Sequence, residues 1–237
     1  MIQAVLFDFG GTLYDYSCLA AAEAESLVEL ARACGADDDP HDILLAQRDA
    51  MRRVFREYLP KPFYLHRDLF RDAVVGMLEE LGVDPRADVL DAYRRAQWQR
   101  HKRDFVLREG VVDTLRELRR RGLHVGMVSN IDDDQLQHLL DTANIAELFD
   151  SIVSSEQAQS CKPHRAIYDM ALTRAACAPE HALFVGDTLR QDVAGANRVG
   201  LQSVLLWHRA DRKPPEDDPR PLHIIHSIPQ VLALLGD

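Results

Sequence analysis

Short, uninterrupted apolar runs recur along this chain, each followed by a turn of small, polar or acidic residues. Ala4–Phe7 (AVLF) runs into Asp8-Phe9-Gly10-Gly11, Leu123–Val128 (LHVGMV) into Ser129-Asn130, and Ala182–Val185 (ALFV) into Gly186-Asp187. Runs without polar alternation read as strands of a parallel sheet, buried on both faces. Ser151–Val153, Ser203–Leu206 and His223–Ile225 read as three further strands. Helical spacing lies between them. Val111–Arg120 sets Val112, Leu115 and Leu118 on one face and is closed by Gly122, and helices follow at about 132–142, 164–177 and 189–199. This alternation predicts βαβ units with right-handed crossovers and an open parallel sheet. Ligands bind such sheets at the carboxyl ends of the strands. Asp8, Ser129, Ser154 and Asp187 each follow a predicted strand, so they are expected on one edge of the sheet.

Residues 16–105 follow another pattern, rich in helical spacing and without a convincing strand. Ser17–Cys34 is rich in Ala, Glu and Leu and stops at Gly35. Asp39-Pro40 has the form of an N-cap followed by proline at the first helical position, opening a helix to about Tyr58. Leu65–Leu81 stops at Gly82, and Pro85–Arg100 follows. The expected organisation is a core domain of residues 1–15 and 106–237, with a four-helix domain of residues 16–105 inserted after the first strand. Residues 209–221 (RADRKPPEDDPRP) read as a polar connecting loop.

Composition narrows the function. Apolar residues make up 46% of the 237, enough for a sizeable core. The formal net charge of −10 argues against non-specific binding to nucleic acid or an anionic membrane, which basic patches drive. No apolar run reaches the length of a membrane span. The four cysteines (Cys18, Cys34, Cys161, Cys177) form no CxxC pair and read as reduced thiols. Met1–Asp8 has neither a basic leader nor a small-residue cleavage site, so no signal peptide is expected there and the expected location is the cytoplasm. Lysines are few (Lys61, Lys102, Lys162 and Lys213), since arginine carries most of the positive charge.

The chemistry-bearing residues gather where the strands end. Asp8 is followed by Gly10, Gly11 and Thr12, and the glycines leave backbone N–H groups accessible to an anion. Ser129-Asn130 closes the second strand, Lys162 stands just ahead of a helix, and Asp187 is followed by Asp192. Two carboxylates near one strand end suit a hard cation such as Mg²⁺. Each piece alone is weak: Ser129 reads equally as a helix cap, Lys162 as a solvated charge and Asp187 as a turn residue. Their order, each at a strand end, is what carries the signal.

That order resembles the haloacid dehalogenase superfamily, most strongly over Val5–Leu13, Glu109–Asn130, Ser154–Leu172 and Ala182–Gly200. The resemblance implies an α/β fold: an open Rossmann-like parallel sheet core with an inserted helical cap domain, residues 16–105 being a cap of the first type (C1). It implies Asp8 as a nucleophile forming a covalent aspartyl intermediate, with Lys162 balancing negative charge. Gly11, Thr12, Ser129, the amide of Asn130 and Lys162 would bind phosphate. Mg²⁺ would be held by Asp8, the backbone carbonyl of Gly10 and Asp187, with Asp192 in support. The implied activity is a Mg²⁺-dependent phosphatase acting on a small phosphorylated metabolite, as a monomer or homodimer.

The sequence departs from the family at one position. Its phosphatases usually carry a second Asp two residues after the nucleophile, as general acid and base; here Gly10 stands there and keeps only the carbonyl. General acid–base catalysis is worth about 10²–10⁴-fold, or roughly 3–5 kcal/mol of barrier. Three consequences stay open: a substrate whose leaving group needs little protonation, a proton donor from elsewhere, or another bond broken. The alternatives are phosphonatase-like chemistry with a cap lysine (Lys61 or Lys102), metal-free dehalogenation, and a phosphate-ligand binding protein that turns nothing over. Asp187 with Asp192 argues against a metal-free site. Cap residues select substrate in this family, and Leu59–Asp68 offers Lys61, Tyr64, His66 and Arg67 as candidates.

Overall fold

The computed structural model describes residues 1–208, 213 and 219–236, so most of the proline-rich stretch 209–221 lies outside the described residues. The chain divides into two compact units, Met1–Asp15 with Val106–Asp237, and Tyr16–Phe105. The first apolar run forms β1 (Ala4–Phe7), all four residues fully buried.

The second unit is four helices: α1 (Ser17–Ala33), α2 (Pro40–Tyr58), α3 (His66–Glu80) and α4 (Ala87–Asp104). The Asp39 side chain caps α2 by accepting from the His41 N–H at 2.8 Å, with Pro40 in the first turn. Its stripe of Ile43, Ala46 and Ala50 packs against Leu27 and Leu30 of α1 and Val74, Met77 and Leu78 of α3. Helix α4 runs to Asp104, beyond the expected end at Arg100. Its last turns are held to α1: Arg100 donates to Ser26 at 2.8 Å and Glu29 at 2.6 Å, and His101 meets Glu23 at 3.1 Å. Such pairings are invisible to a periodicity reading.

The first unit continues with α5 (Val111–Arg120), β2 (His124–Ser129), α6 (Asp133–Ala143), β3 (Ser151–Ser154), a single turn α7 (Ser155–Ala158) and α8 (Arg165–Ala175). Then come β4 (Ala182–Gly186), a π-turn over Leu189–Val193, α9 (Ala194–Val199), β5 (Gln202–Leu206) and β6 (His223–Ile225). All strand pairs are parallel, in the order β3-β2-β1-β4-β5-β6. The chain first winds away from β1 on one side, then crosses over to start β4 on the other. The switch point therefore lies between β1 and β4, where open parallel sheets bind ligands. The fold is the expected open Rossmann-like α/β sheet.

Two local expectations change, and one further segment is added. The apolar stripe of α5 is Val111, Leu115 and Leu118, while Val112 is only half-buried. The single helix expected at 189–199 opens with a π-turn: the Val193 N–H bonds the Thr188 carbonyl at 3.1 Å, five residues back. A 3₁₀ segment, Ile228–Leu235, is not legible in the pattern and packs Ile228 and Val231 inward. Among the described residues no helix is long and apolar enough to cross a membrane.

Helix α8 carries the residue that braces the π-turn. Tyr168, fully buried, donates its hydroxyl to the Gln191 carbonyl at 2.6 Å and meets Phe184 edge-on at 5.1 Å. A Cβ on Gly195 would stand 2.1 Å from that hydroxyl. Gly195→Ala is therefore expected to destabilise the protein by about 1–3 kcal/mol through overpacking. A denaturant midpoint unchanged from the parent would contradict this.

Candidate active site

The parallel register delivers the site residues to one edge. Phe7 pairs with Met127 on one side and Val185 on the other. Asp8 extends β1 by one residue, its N–H donating to the Val185 carbonyl at 2.9 Å. Ser129 is the last residue of β2, and Asp187 follows the last residue of β4. Lys162 comes from the loop between α7 and α8, and Asp192 from the π-turn.

Tertiary structure turns these neighbours into one buried charge cluster. Lys162 Nζ donates to Asp8 Oδ1 at 2.6 Å and to Asp192 Oδ1 at 2.7 Å. Exposures are 5% for Asp8, 3% for Lys162 and 1% for Asp192. Ser129 Oγ donates to Asp8 Oδ1 at 3.2 Å, and Thr12 Oγ1 donates to Asp8 Oδ2 at 3.0 Å and approaches Asp187 Oδ1 at 3.5 Å. Carboxylate oxygens of Asp8, Asp187 and Asp192 lie within 4.8 Å of one another. Among the described residues three carboxylates thus face one ammonium, leaving an excess of negative charge at a largely buried site.

That imbalance governs the protonation states. Burial pushes the Asp8 carboxyl up, and the Asp192 charge adds to this, against the pull of Lys162. Asp187 is raised to about 7, first by burial and then by repulsion from Asp8 and Asp192. Burial alone would lower Lys162, but Asp192 and Asp8 outweigh it and the ammonium is held charged, its titration shifted upward.

Several side chains serve the site in ways the motif reading misses. Asn130 is expected to offer its main-chain amide; its side chain also has a part. It clasps the main chain of Lys162, Oδ1 accepting from Lys162 N–H at 2.7 Å and Nδ2 donating to Lys162 O at 3.1 Å. Thr188 donates from both its backbone N–H (2.9 Å) and its hydroxyl (2.6 Å) to Asp192 Oδ2, fixing the oxygen that Lys162 does not use. A Thr four residues before an Asp is the only trace of this in the sequence. Thr12, expected to bind phosphate, is fully buried with its hydroxyl on the carboxylates. Ser154 lies on the same edge but caps α7, accepting from the Gln157 N–H at 2.9 Å and bonding Asp133. Arg108, in the return segment after the inserted unit, holds the Gly11 carbonyl from 97 residues away.

Gly11 is required by geometry. Its φ is +84°, and a Cβ there would lie 2.4 Å from Asp187 Oδ2. Gly10 contributes no side chain to the cluster and forms an isolated parallel bridge with Tyr14.

The four candidates for substrate selection belong to the second unit. Lys61 donates to Glu57 at 3.0 Å and lies 3.8 Å over the Tyr58 ring. Tyr64 is buried against Tyr58 and His66, at ring separations of 5.5 and 4.9 Å, and Arg67 is half-buried in α3.

A buried aspartate–lysine cluster at the switch point of a parallel α/β sheet is the arrangement of an α/β enzyme whose ligand site lies at the strand ends. More narrowly, the family of haloacid dehalogenase-like hydrolases matches residues 2–200, and the chain belongs to it. It is 30% identical to ribulose-1,5-bisphosphate 5-phosphatase of Halopiger xanaduensis, over 87% of this chain and 85% of that one. It is 31% identical to glyceraldehyde 3-phosphate phosphatase of Methanopyrus kandleri, over 93% and 91%. The HAD-hydrolase YfnB of Bacillus subtilis, solved bound to magnesium, shares the fold with a TM-score of 0.78 and 22% identity, over 100% and 99% of the two chains. L-2-haloacid dehalogenase of Xanthobacter autotrophicus shares it with a TM-score of 0.74 and 21% identity, over 99% and 98%.

The pKa of Asp187 gives a signed prediction. Raised from its ordinary 3.8 to about 7, it makes a contribution to stability that is fully present below pH 3.8 and lost as pH rises through 7. Metal-free protein should lose stability from this group by up to about 1.4 kcal/mol per pH unit between those limits. Asp187→Asn should flatten the slope in chemical-denaturation midpoints measured across that range. An equally steep slope in the variant would refute the assignment.

Proposed function

We propose that the chain is a magnesium-dependent phosphatase acting on a small phosphorylated metabolite through an aspartyl-phosphate on Asp8. One observation carries the proposal: Asp8 sits at the switch point with Lys162 Nζ 2.6 Å from its Oδ1 and two further carboxylates beside it. The phosphatase names of the relatives at 30% and 31% identity support the same reading.

The donor set fits a hard dication. Oxygen ligands from several carboxylates suit Mg²⁺, and the excess of acid over base is what such an ion would neutralise. Asp8, Asp187 and the Gly10 carbonyl would hold it, with Asp192 in support. Bound there, Mg²⁺ would supply charge neutralisation for an anionic substrate approaching an anionic nucleophile.

The chain's own residues supply the rest. An Asp8 carboxylate oxygen attacks phosphorus, and the P–O bond to the leaving group breaks as the new O–P bond forms. Lys162, charged and buried, offsets negative charge on the nucleophile and the transferring group. Ser129 and the Asn130 amide orient the phosphoryl oxygens, and Gly11 and Thr12 line the loop beside them. Water then attacks the phosphorus of the aspartyl-phosphate, the Asp8 O–P bond breaks, and inorganic phosphate leaves with Asp8 regenerated. Gly10 offers no proton to the leaving group, so aryl or acyl phosphates are the favoured substrates.

The carboxylate trio weighs against metal-free dehalogenation, since one lysine leaves the charge of three carboxylates only partly balanced. Lys61, engaged by Glu57 and Tyr58, is a poor fit to a Schiff-base role. Substrate selection by Lys61, Tyr64, His66 and Arg67 of the helical unit stays part of this proposal.

Turnover of p-nitrophenyl phosphate should require Mg²⁺ and fall to background in Asp8→Asn. Metal-independent turnover, or turnover retained in the variant, would sink the proposal. Restoring a carboxyl with Gly10→Asp should raise kcat on an alkyl phosphate about tenfold or more, well within the usual range for an acid–base group. A rate equal to or below the parent's would remove the missing-acid account.

A further inference from the structure

We infer that Arg108 is a positioning residue for the nucleophile loop, acting through the Gly11–Thr12 peptide group. The inference rests on the reading of Asp8 as the nucleophile. Arg108 donates to the Gly11 carbonyl through Nε at 3.2 Å and Nη2 at 2.9 Å, and Nη2 also lies 3.0 Å from Asp15 Oδ2. Its own N–H donates to the Leu13 carbonyl at 2.8 Å, and Tyr14 forms an antiparallel bridge with Leu107. The segment carrying Asp8 out of the sheet is thus tied at three successive residues, 13 to 15 with 11 beneath them, to the segment returning at 107–108.

The Gly11 carbonyl is the informative contact. On its other side the loop has no slack, because the Gly11 Cα faces the Asp187 carboxylate so closely that a Cβ would overlap it. A peptide group is planar, so an arginine fixing the Gly11 carbonyl also fixes the nitrogen of Thr12. Thr12 in turn places its hydroxyl on Asp8 Oδ2 and near Asp187 Oδ1. The chain of contacts runs from Arg108 through one rigid plane to both carboxylates. A guanidinium fork is well suited to such bracing, because one planar group spans a carbonyl and a carboxylate at fixed angles, which a lysine ammonium does not. The Arg108 side chain is 20% exposed and directs its hydrogen bonds and ion pair to Gly11 and Asp15 rather than to Asp8 or Asp187, so its influence on the reaction is through placement.

Misplacement of reacting groups by about 1 Å costs up to roughly 10²-fold in rate. Arg108→Ala should therefore lower kcat on p-nitrophenyl phosphate by about 10- to 100-fold, leaving KM within about threefold, because an interaction felt in the transition state has been lost. Arg108→Lys should fall between alanine and parent. Asp15→Asn, which keeps the contact with Gly11, should stay within about threefold of the parent. A second readout is independent of substrate. Amide exchange followed by mass spectrometry should quicken over residues 8–15 in Arg108→Ala, where Leu13 N–H bonds Phe9 O, and stay unchanged over β4 and β5. Unchanged exchange in residues 8–15, or exchange raised throughout the unit, overturns the inference, as does a kcat within threefold of the parent. Faster local exchange in a protein whose parent shows no Asp8-dependent turnover supports the positioning role and instead rejects the proposed phosphatase chemistry.

Discussion

One buried ammonium organises this molecule. Lys162 lies between Asp8 and Asp192 at 2.6 and 2.7 Å, with all three almost wholly out of water. Removing such charges from solvent costs several kcal/mol per ion, and only close, well-aligned partners repay it. The alignment is extensive. Asn130 holds the main chain of Lys162, Thr188 holds the free oxygen of Asp192, and Ser129 and Thr12 complete the shell of Asp8. Beneath the cluster Lys162 Nζ lies 5.5 Å from the centroid of the Phe184 ring, and Tyr168 braces the π-turn from the same side of the core. Sheet order, the π-turn and the loop after α7 all meet the same requirement, that Lys162, Asp8 and Asp192 be paired with one another.

The cluster is balanced toward negative charge, and this imbalance is informative. A site evolved only for stability would match carboxylates with bases. Here, among the described residues, Asp187 has no basic partner as close as those of Asp8 and Asp192, and burial with two neighbouring carboxylates raises it to about 7. On the proposed function, this acidic excess at the switch point would be neutralised by a bound dication beside an anionic substrate. The chain belongs to the haloacid dehalogenase-like hydrolases, and two of its relatives are named as phosphatases. On the proposed function Gly10 is the chemical peculiarity of the chain: Asp8 would serve as nucleophile and Asp187 as metal ligand, while position 10 carries no side chain to handle the leaving group's proton.

The loop between β1 and the inserted unit is constrained from both sides. Asp187 abuts Gly11 so tightly that no other residue fits, and Arg108 grips the Gly11 carbonyl. A flexible Gly-Gly turn is in this way converted into a fixed platform. The glycine supplies the conformation, and the arginine removes the freedom that glycine would otherwise keep.

Much of this is legible in the chain itself. Short apolar runs ending in Asp, Ser or Gly mark the strands that carry the site, because strands buried on both faces need no polar alternation. The alternation with helices implies a parallel sheet, and therefore one shared edge for Asp8, Ser129 and Asp187. Asp39-Pro40 marks the start of α2 because capping is a local matter of adjacent backbone groups. What the sequence could not contain is any contact depending on two segments being brought side by side. The switch point between β1 and β4, the Asn130 clasp on Lys162, the extension of α4 by its partners on α1 and the grip of Arg108 on Gly11 are all of that kind. So is the charge state of the site. The types and order of the acidic residues are written in the chain, but their titration depends on burial and on ångström-scale separations. Local propensity and hydrophobic spacing act between near neighbours along the chain; electrostatics and hydrogen bonding act through space, and only the folded sheet decides which distant residues become neighbours.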